Sequence, residues 1–249
     1  MADHFPLRLV SAHMLAPSAR HLAFERVDGS PFAFVPGQFI QIHFDYADGK
    51  PTKRSYSVAT VGIDGVAPIT QIEIAVSYVE GGAATALLGG LEIGGTINAS
   101  GPYGRFCLFD TDTNRRYLLV GTGTGITPYR AMLPVIAKLT RTRGCEFSLV
   151  HGARTEVELL YSDEFEAFAA ATPGFSYHSC LSRTPRAMPR AHDRLGRVQV
   201  AIDALAPDAA GDIAYLCGNP DMVDQAFTLL KEAGLGVPQI RREKYISSR

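Results

Sequence analysis

Several things are missing from this chain, and each absence narrows the reading. Its four cysteines, Cys107, Cys145, Cys180 and Cys217, lie far apart with no C-x-x-C pair. That spacing excludes a thiolate-held iron–sulfur cluster and reads as reduced cytosolic thiols. No apolar run reaches the roughly 18 residues of a membrane-spanning helix. The start, Met1 to Pro6, lacks a basic region followed by an apolar core, so no secretory leader is expected. There is no internal repeat and no low-complexity tract. A formal net charge of −1 gives no general attraction to nucleic acid or anionic lipid. These absences predict a soluble, cytoplasmic protein with no metal site, no nucleic-acid partner and no membrane partner.

What is present is ordinary globular material, 46% hydrophobic and 20% charged over 249 residues. The length suits one large domain or two smaller ones. Fifteen Pro and 24 Gly imply many turns. Up to about residue 110 the chain alternates short strand-like runs with Gly, Pro and Asp turns; Ile69 to Val76 shows the period of two of a half-buried strand. Strands are predicted over 39–44, 55–59 and 69–76, with one helix over 83–88, which suits a small antiparallel barrel. From about residue 115 the rhythm becomes strand, helix, strand. Strands are predicted at 117–120, 146–151, 175–180 and 213–217, and helices at 128–139, 163–170 and 221–233. That alternation predicts a parallel sheet with helices on both faces. The expectation is therefore two domains, an N-terminal antiparallel β-barrel over 1–110 and an α/β domain over 115–249. The polar, aperiodic segment 109–116 would link them.

Four segments carry chemical content. Gly121-Thr122-Gly123-Thr124-Gly125-Ile126-Thr127-Pro128 follows a strand and opens a helix. Glycines let backbone N–H groups approach a diphosphate, and a helix N-terminus favours phosphate. No acidic ribose-binding residue stands about 20 residues further on, so the usual Rossmann fingerprint does not fit. Leu216-Cys217-Gly218-Asn219-Pro220 ends a strand and begins a helix, which sets Cys217 at the ligand edge of such a sheet or simply in its core. Arg54-Ser55-Tyr56-Ser57 reads as a strand with Arg54 and Tyr56 on one face. By itself it is equally an ordinary amphipathic strand. Gly101 to Phe106 reads as a turn. An arginine run, Arg183, Arg186, Arg190, Arg194 and Arg197, marks either a solvated loop or an anion site.

Taken together and in order, these segments resemble the ferredoxin–NADP reductase superfamily over nearly the whole chain. The matching elements are Arg54 to Ser57, Gly82-Ala83-Ala84-Thr85, Gly101 to Phe106, Gly121 to Pro128, His151 to Phe165 and Leu216 to Val223. The chain is most similar to the bacterial ferredoxin or flavodoxin reductases. The resemblance implies that the barrel binds FAD and the α/β domain binds NADP. It implies that Arg54 meets the flavin phosphate with Thr85 and the amides of Gly82, Ala83 and Ala84. Tyr56 would stack on the flavin ring, and Ser57, beside Ser55, would hydrogen-bond it. Thr124 and Thr127 belong to the diphosphate loop. Arg154, Ser182, Arg183 and Arg197 would surround the 2′-phosphate, favouring NADP over NAD, because guanidinium forks suit phosphate. Cys217, Gly218 and Glu243 would lie at the nicotinamide, with Tyr245 stacking nearby. The partner implied is a separate ferredoxin or flavodoxin, and the chain is expected to be a monomer. Three other readings stand beside this: a reductase of free flavin, the reductase component of an oxygenase system, and a non-enzymatic dinucleotide-sensing subunit.

Overall fold

The computed structural model describes residues 3–63 and 68–245. It divides into two compact units. The first holds the described residues up to Leu108 together with Thr127–Pro134, and the second holds Phe109–Ile126 and the described residues from Val135 onward.

The first unit is built from β1 (Asp3–Ala16), β2 (Ala19–Arg26), β3 (Phe39–Asp45), β4 (Pro51–Ser57), β5 (Gln71–Ser77), the helix α1 (Ala83–Gly90) and β6 (Thr96–Tyr103). The strands form one antiparallel sheet in the order β4-β3-β6-β1-β2-β5. Val58, just past β4, bridges Ile74 of β5, so the two edges of the sheet meet and close a barrel. Alternation explains the interior. Phe5, Leu7 and Leu9 of β1, Leu22 and Phe24 of β2, Ile40 and Ile42 of β3, and Ile72 and Ile74 of β5 all point into one core. Gly101 to Tyr103, read from sequence as the start of a turn, instead completes β6; the turn begins at Gly104, whose φ of +100° favours glycine.

The second unit runs β7 (Arg116–Thr122), α2 (Thr127–Arg143, shared with the first unit), β8 (Glu146–Ala153), α3 (Ser162–Ala171), β9 (Phe175–Leu181), β10 (Asp193–Leu195), α4 (Val198–Ala204), β11 (Asp212–Gly218), α5 (Pro220–Glu232) and β12 (Ile240–Lys244). Its six strands are parallel, in the order β10-β9-β8-β7-β11-β12. Both faces are covered. Leu118, Val120, Val150, Ala214 and Leu216 meet α4 and α5 through Val198, Ile202, Val223 and Leu230. On the opposite face Phe165 of α3 stacks on Tyr177. That double burial is why the strands read as continuous apolar runs. The polar segment 109–116, expected as a linker, is anchored within this unit: the buried Asp112 accepts from Arg241 at 2.7 Å and from the Tyr215 hydroxyl at 3.3 Å. Among the described residues no helix is long and apolar enough to cross a membrane.

Candidate functional site

The strand order fixes where a ligand can sit. The chain moves outward from β7 through β8 and β9 to β10, then returns to place β11 on the other side of β7. In open α/β sheets the crevice forms at the carboxyl ends of the strands where the order reverses. Here those are the ends of β7 and β11. Along this edge stand, in spatial order, Arg197 after β10, Ser182 and Arg183 after β9, Arg154 after β8, the Gly-rich loop after β7, Cys217 and Gly218 at β11, and Glu243 on β12 with Tyr245 just past it. Residues scattered over about 120 positions of sequence are thereby brought to one line.

At the reversal point two loops interlock. Gly123–Ile126 forms a single 3-10 turn that runs directly into α2, whose start has no side-chain cap, so a helix N-terminus is set at this edge. Not every glycine here serves a ligand. A Cβ on Gly125 would lie 2.4 Å from the Cys217 carbonyl oxygen, and one on Gly218, where φ is +124°, would lie 2.5 Å from the Thr122 carbonyl oxygen. Those two glycines let the loops touch. Gly123 instead faces open space. Thr124 is half-buried and Thr127 buried. The loops are tied by the Asn219 N–H, which donates to Thr122 Oγ1 at 3.2 Å, while Asn219 Oδ1 caps α5 by accepting from the Met222 N–H at 3.2 Å.

One end of the edge is apolar. Cys217 is fully buried, and burial together with the nearby Glu243 carboxyl pushes its thiol well above the ordinary range, so it stays neutral. Glu243 lies opposite Cys217 in the parallel register. Its Oε2 is buried with no hydrogen-bond partner, and burial pushes the carboxyl up to about 7. The Tyr245 N–H donates to the Gly218 carbonyl at 2.8 Å, which anchors the residue after β12 beside the same site.

The other end is cationic. Backbone bonds draw its residues together: the N–H groups of Ser182 and Arg183 donate to the carbonyls of Ala153 and Arg154, each at 3.0 Å, and the Gly196 N–H donates to Leu181 at 2.9 Å. Arg183 and Arg197 are exposed. Arg186 is not. It is 5% exposed and donates to Glu156 at 2.9 Å, Asp193 at 3.0 Å and Glu166 at 3.2 Å. Arg190 also pairs with Glu166. The arginine run therefore splits into a buried structural part and an exposed part free to meet an anion.

In the barrel, Thr52, Arg54 and Tyr56 share a half-buried face, Ser55 is exposed and Ser57 is buried. The Arg54 guanidinium is oriented by the Tyr46 hydroxyl at 2.8 Å and Thr52 Oγ1 at 3.1 Å. Tyr56 packs against the core and burial pushes its phenol up to about 12, so it acts as an aromatic surface and not as an acid. Gly82 precedes α1 with no side-chain cap, and Thr85 Oγ1 accepts from the Val79 N–H at 2.9 Å. Tyr78, Val79, Gly81, Gly82, Ala83 and Thr85 line part of a cavity of about 600 Å³ beside this helix start.

Residues 6–107 match the model of the oxidoreductase FAD-binding domain, and residues 119–227 that of the oxidoreductase NAD-binding domain. A ferredoxin–NADP reductase B of Sorangium cellulosum is 36% identical over 98% of this chain and 98% of its own length. The chain belongs to the ferredoxin–NADP reductase family. It is an oxidoreductase that binds FAD and a nicotinamide dinucleotide. A toluate 1,2-dioxygenase electron transfer component of Pseudomonas putida is 28% identical over 96% of this reductase but only 66% of its own length. The solved Amycolatopsis cytochrome P450 reductase superposes with a TM-score of 0.82 and 28% identity, over 98% of this reductase and 70% of that chain.

The residues of this reductase fit both groups. The uncapped α1 start and its adjoining cavity suit a phosphate and its attached ligand, and the orphaned Glu243 oxygen marks an acceptor awaiting a donor. Three contributors were not singled out from sequence. Thr122 and Asn219 join the loops, and Glu158 pairs with Arg154. The i,i+4 spacing of Arg154 and Glu158 was a readable signal for Glu158. His151, within the matched element His151 to Phe165, is a core residue: fully buried, bonded to the Tyr177 hydroxyl at 3.0 Å and held neutral by burial, which lowers it to about 3.

Proposed function

We propose that this reductase moves reducing equivalents between NADPH and a separate one-electron carrier, a ferredoxin or a flavodoxin. The observation that carries the reading is the sheet edge, with exposed arginines at one end, an amide-rich loop in the middle and a neutral thiol beside an orphaned carboxyl at the other. A dinucleotide laid along that edge meets charge for its adenosine phosphate, N–H groups for its diphosphate and a water-poor site for its ring. Arg154, Ser182, Arg183 and Arg197 hold the 2′-phosphate; Thr124 and Thr127 position the diphosphate loop. Cys217 and Gly218 pack against the nicotinamide and exclude water. Glu243 answers the positive charge that the ring gains or loses. In the barrel, Arg54, Thr85 and the amides of Gly82, Ala83 and Ala84 hold the FAD phosphates. Tyr56 supplies a stacking surface, and Ser57 with Ser55 orients the flavin ring; Tyr245 covers an aromatic face. The stretch after Tyr245 lies outside the described residues. The chemistry that FAD would supply when bound is exchange of one hydride, with its two electrons, for two single-electron transfers.

We further place the protein in the cytoplasm, on its four cysteines, none of which is in a disulfide, and read it as a monomer. A second reading, the reductase component of an oxygenase system, is favoured by the match to the toluate dioxygenase component. The absorption spectrum of the purified protein, followed by titration with NADPH and NADH, tests the reading. Flavin bands that survive gel filtration and bleach with NADPH at lower concentration than with NADH are expected. Tyr56→Ala is expected to lower flavin content at least several-fold. A colourless protein, or undiminished flavin content in that variant, would overturn the assignment of the barrel site.

A further inference from the structure

Arg154 differs from its two neighbours on the cationic edge. Its Nε and its backbone N–H each donate to Glu158 Oε2 at 3.0 Å, and its Nη2 donates to Oε1. The pair is bidentate, so the Nη1 side is what the guanidinium can still offer outward. Arg183 and Arg197 have no such acid; among the described residues neither side chain has a hydrogen-bond or ion-pair partner. Glu158 itself is held below the ordinary carboxylate range by Arg154, so it carries a full negative charge at neutral pH.

That charge acts with opposite sign on the two nicotinamide dinucleotides. A 2′-phosphate approaching Arg154 brings up to two negative charges beside the Glu158 carboxylate, which repels them. A ribose 2′-hydroxyl brings a donor that the same carboxylate can accept. The site is exposed enough that water weakens the repulsion without removing it.

We propose that Glu158 is a specificity-determining residue: it limits the preference for NADPH over NADH by occupying half of Arg154 and opposing the 2′-phosphate. The proposal rests on the reading that Arg154, Arg183 and Arg197 receive that phosphate. It predicts a reductase able to use both dinucleotides, with a preference for NADPH smaller than three arginines alone would give.

The test uses the full-length, flavin-loaded protein and three variants: Glu158→Gln, Glu158→Asp and Arg183→Ala. Calorimetric titration with adenosine 2′,5′-bisphosphate and with 5′-AMP reports the phosphate subsite apart from turnover. The ratio of kcat/KM for NADPH to that for NADH, read with a dye acceptor, reports the same preference in the working enzyme. Gln keeps an oxygen to accept from the Arg154 N–H, and a thermal melt checks that the variant folds. Glu158→Gln is expected to tighten the bisphosphate about three- to tenfold, leave 5′-AMP unchanged or weaker, and raise the kinetic ratio by the same factor. Glu158→Asp keeps the charge and is expected to keep the parent ratio. Unchanged or weaker bisphosphate binding in Glu158→Gln, with Arg183→Ala still weakening it, would overturn the role of Glu158 and leave the arginine site standing. If Arg183→Ala also leaves the bisphosphate untouched, the arginine site itself is wrong and the proposal falls with it.

Discussion

Two glutamates on the same sheet edge are driven in opposite directions. Glu158, at the end beyond β8, is held below the ordinary carboxylate range because Arg154 donates to both of its oxygens. Glu243, on β12, is pushed up to about 7 because burial removes water and no partner replaces it. Residue type does not decide this; local dielectric and partners do. One edge thus offers a wet end, where full charges persist and meet other charges through water, and a dry end, where a thiol and a carboxyl both lean towards their neutral forms. A dinucleotide has matching ends: a highly charged adenosine phosphate and a flat ring that gains or loses one charge in the reaction.

Arg186 sharpens the comparison, because it brings a dry charge into the cationic segment. Its guanidinium is buried among Glu156, Glu166 and Asp193, only three residues from the exposed Arg183. Removing it leaves several acids close together with too little compensation. Arg186→Ala is expected to lower the unfolding free energy by about 3–5 kcal/mol in urea melts. Arg183→Ala, at a solvated position, is expected to change it by less than about 0.5 kcal/mol. Equal losses for the two would mean that the segment folds as one unit and that the division into buried and exposed arginines has no energetic basis.

That division could not be read from the chain alone. Arg183 and Arg186 look alike in sequence, and the acids that bury Arg186 come partly from Glu156 and Glu166, 30 and 20 residues away. Likewise β12 consists of Ile240-Arg241-Arg242-Glu243-Lys244, with no apolar alternation; it is a strand because the edge of β11 supplies its hydrogen bonds. β10 is three residues long and has the same cause. By contrast, the elements whose signal is local were legible. The period of two in Ile69 to Val76 placed β5, and the strand–glycine–helix passage from Tyr117 to Pro128 placed β7 and α2. β1 carries a similar local signal in Phe5, Leu7 and Leu9, which alternate with exposed residues. Gly125 and Gly218 were visible as glycines, but only coordinates separate their packing duty from the ligand-facing freedom of Gly123.

The dry end gives a pH test with a definite sign. The Glu243 carboxyl sits at about 7 in the folded chain and returns to about 4.3 on unfolding. Between those values the folded state holds the extra proton. Stability therefore falls as pH rises through that window and levels off above it. Glu243→Gln removes this slope, and at about pH 8.5 it is expected to stabilise the protein by about 1–3 kcal/mol. Urea melts at several pH values in both proteins check this. Parallel pH profiles for the two would mean that Glu243 is solvated after all, and the contrast between the ends of the edge would collapse.

The smallest expected effect belongs to the wet end, and salt exposes it. Arg197 is solvated, so its attraction for a 2′-phosphate is screened over a Debye length of about 10 Å at 0.1 M and about 3 Å at 1 M ionic strength. Arg197→Ala is expected to raise KM for NADPH by about three- to tenfold at low salt, with KM for NADH nearly unchanged. At high salt the parent should approach the variant, because water and ions already weaken what the mutation removes. Glu243 and Cys217 lie behind protein and are screened far less, so the rate of the ring-end chemistry at saturating NADPH should hardly move across the same salt series. A salt effect on that rate as large as the effect on KM for NADPH would show that the two ends are not electrically distinct. The order of residues along the edge would then be a matter of shape alone.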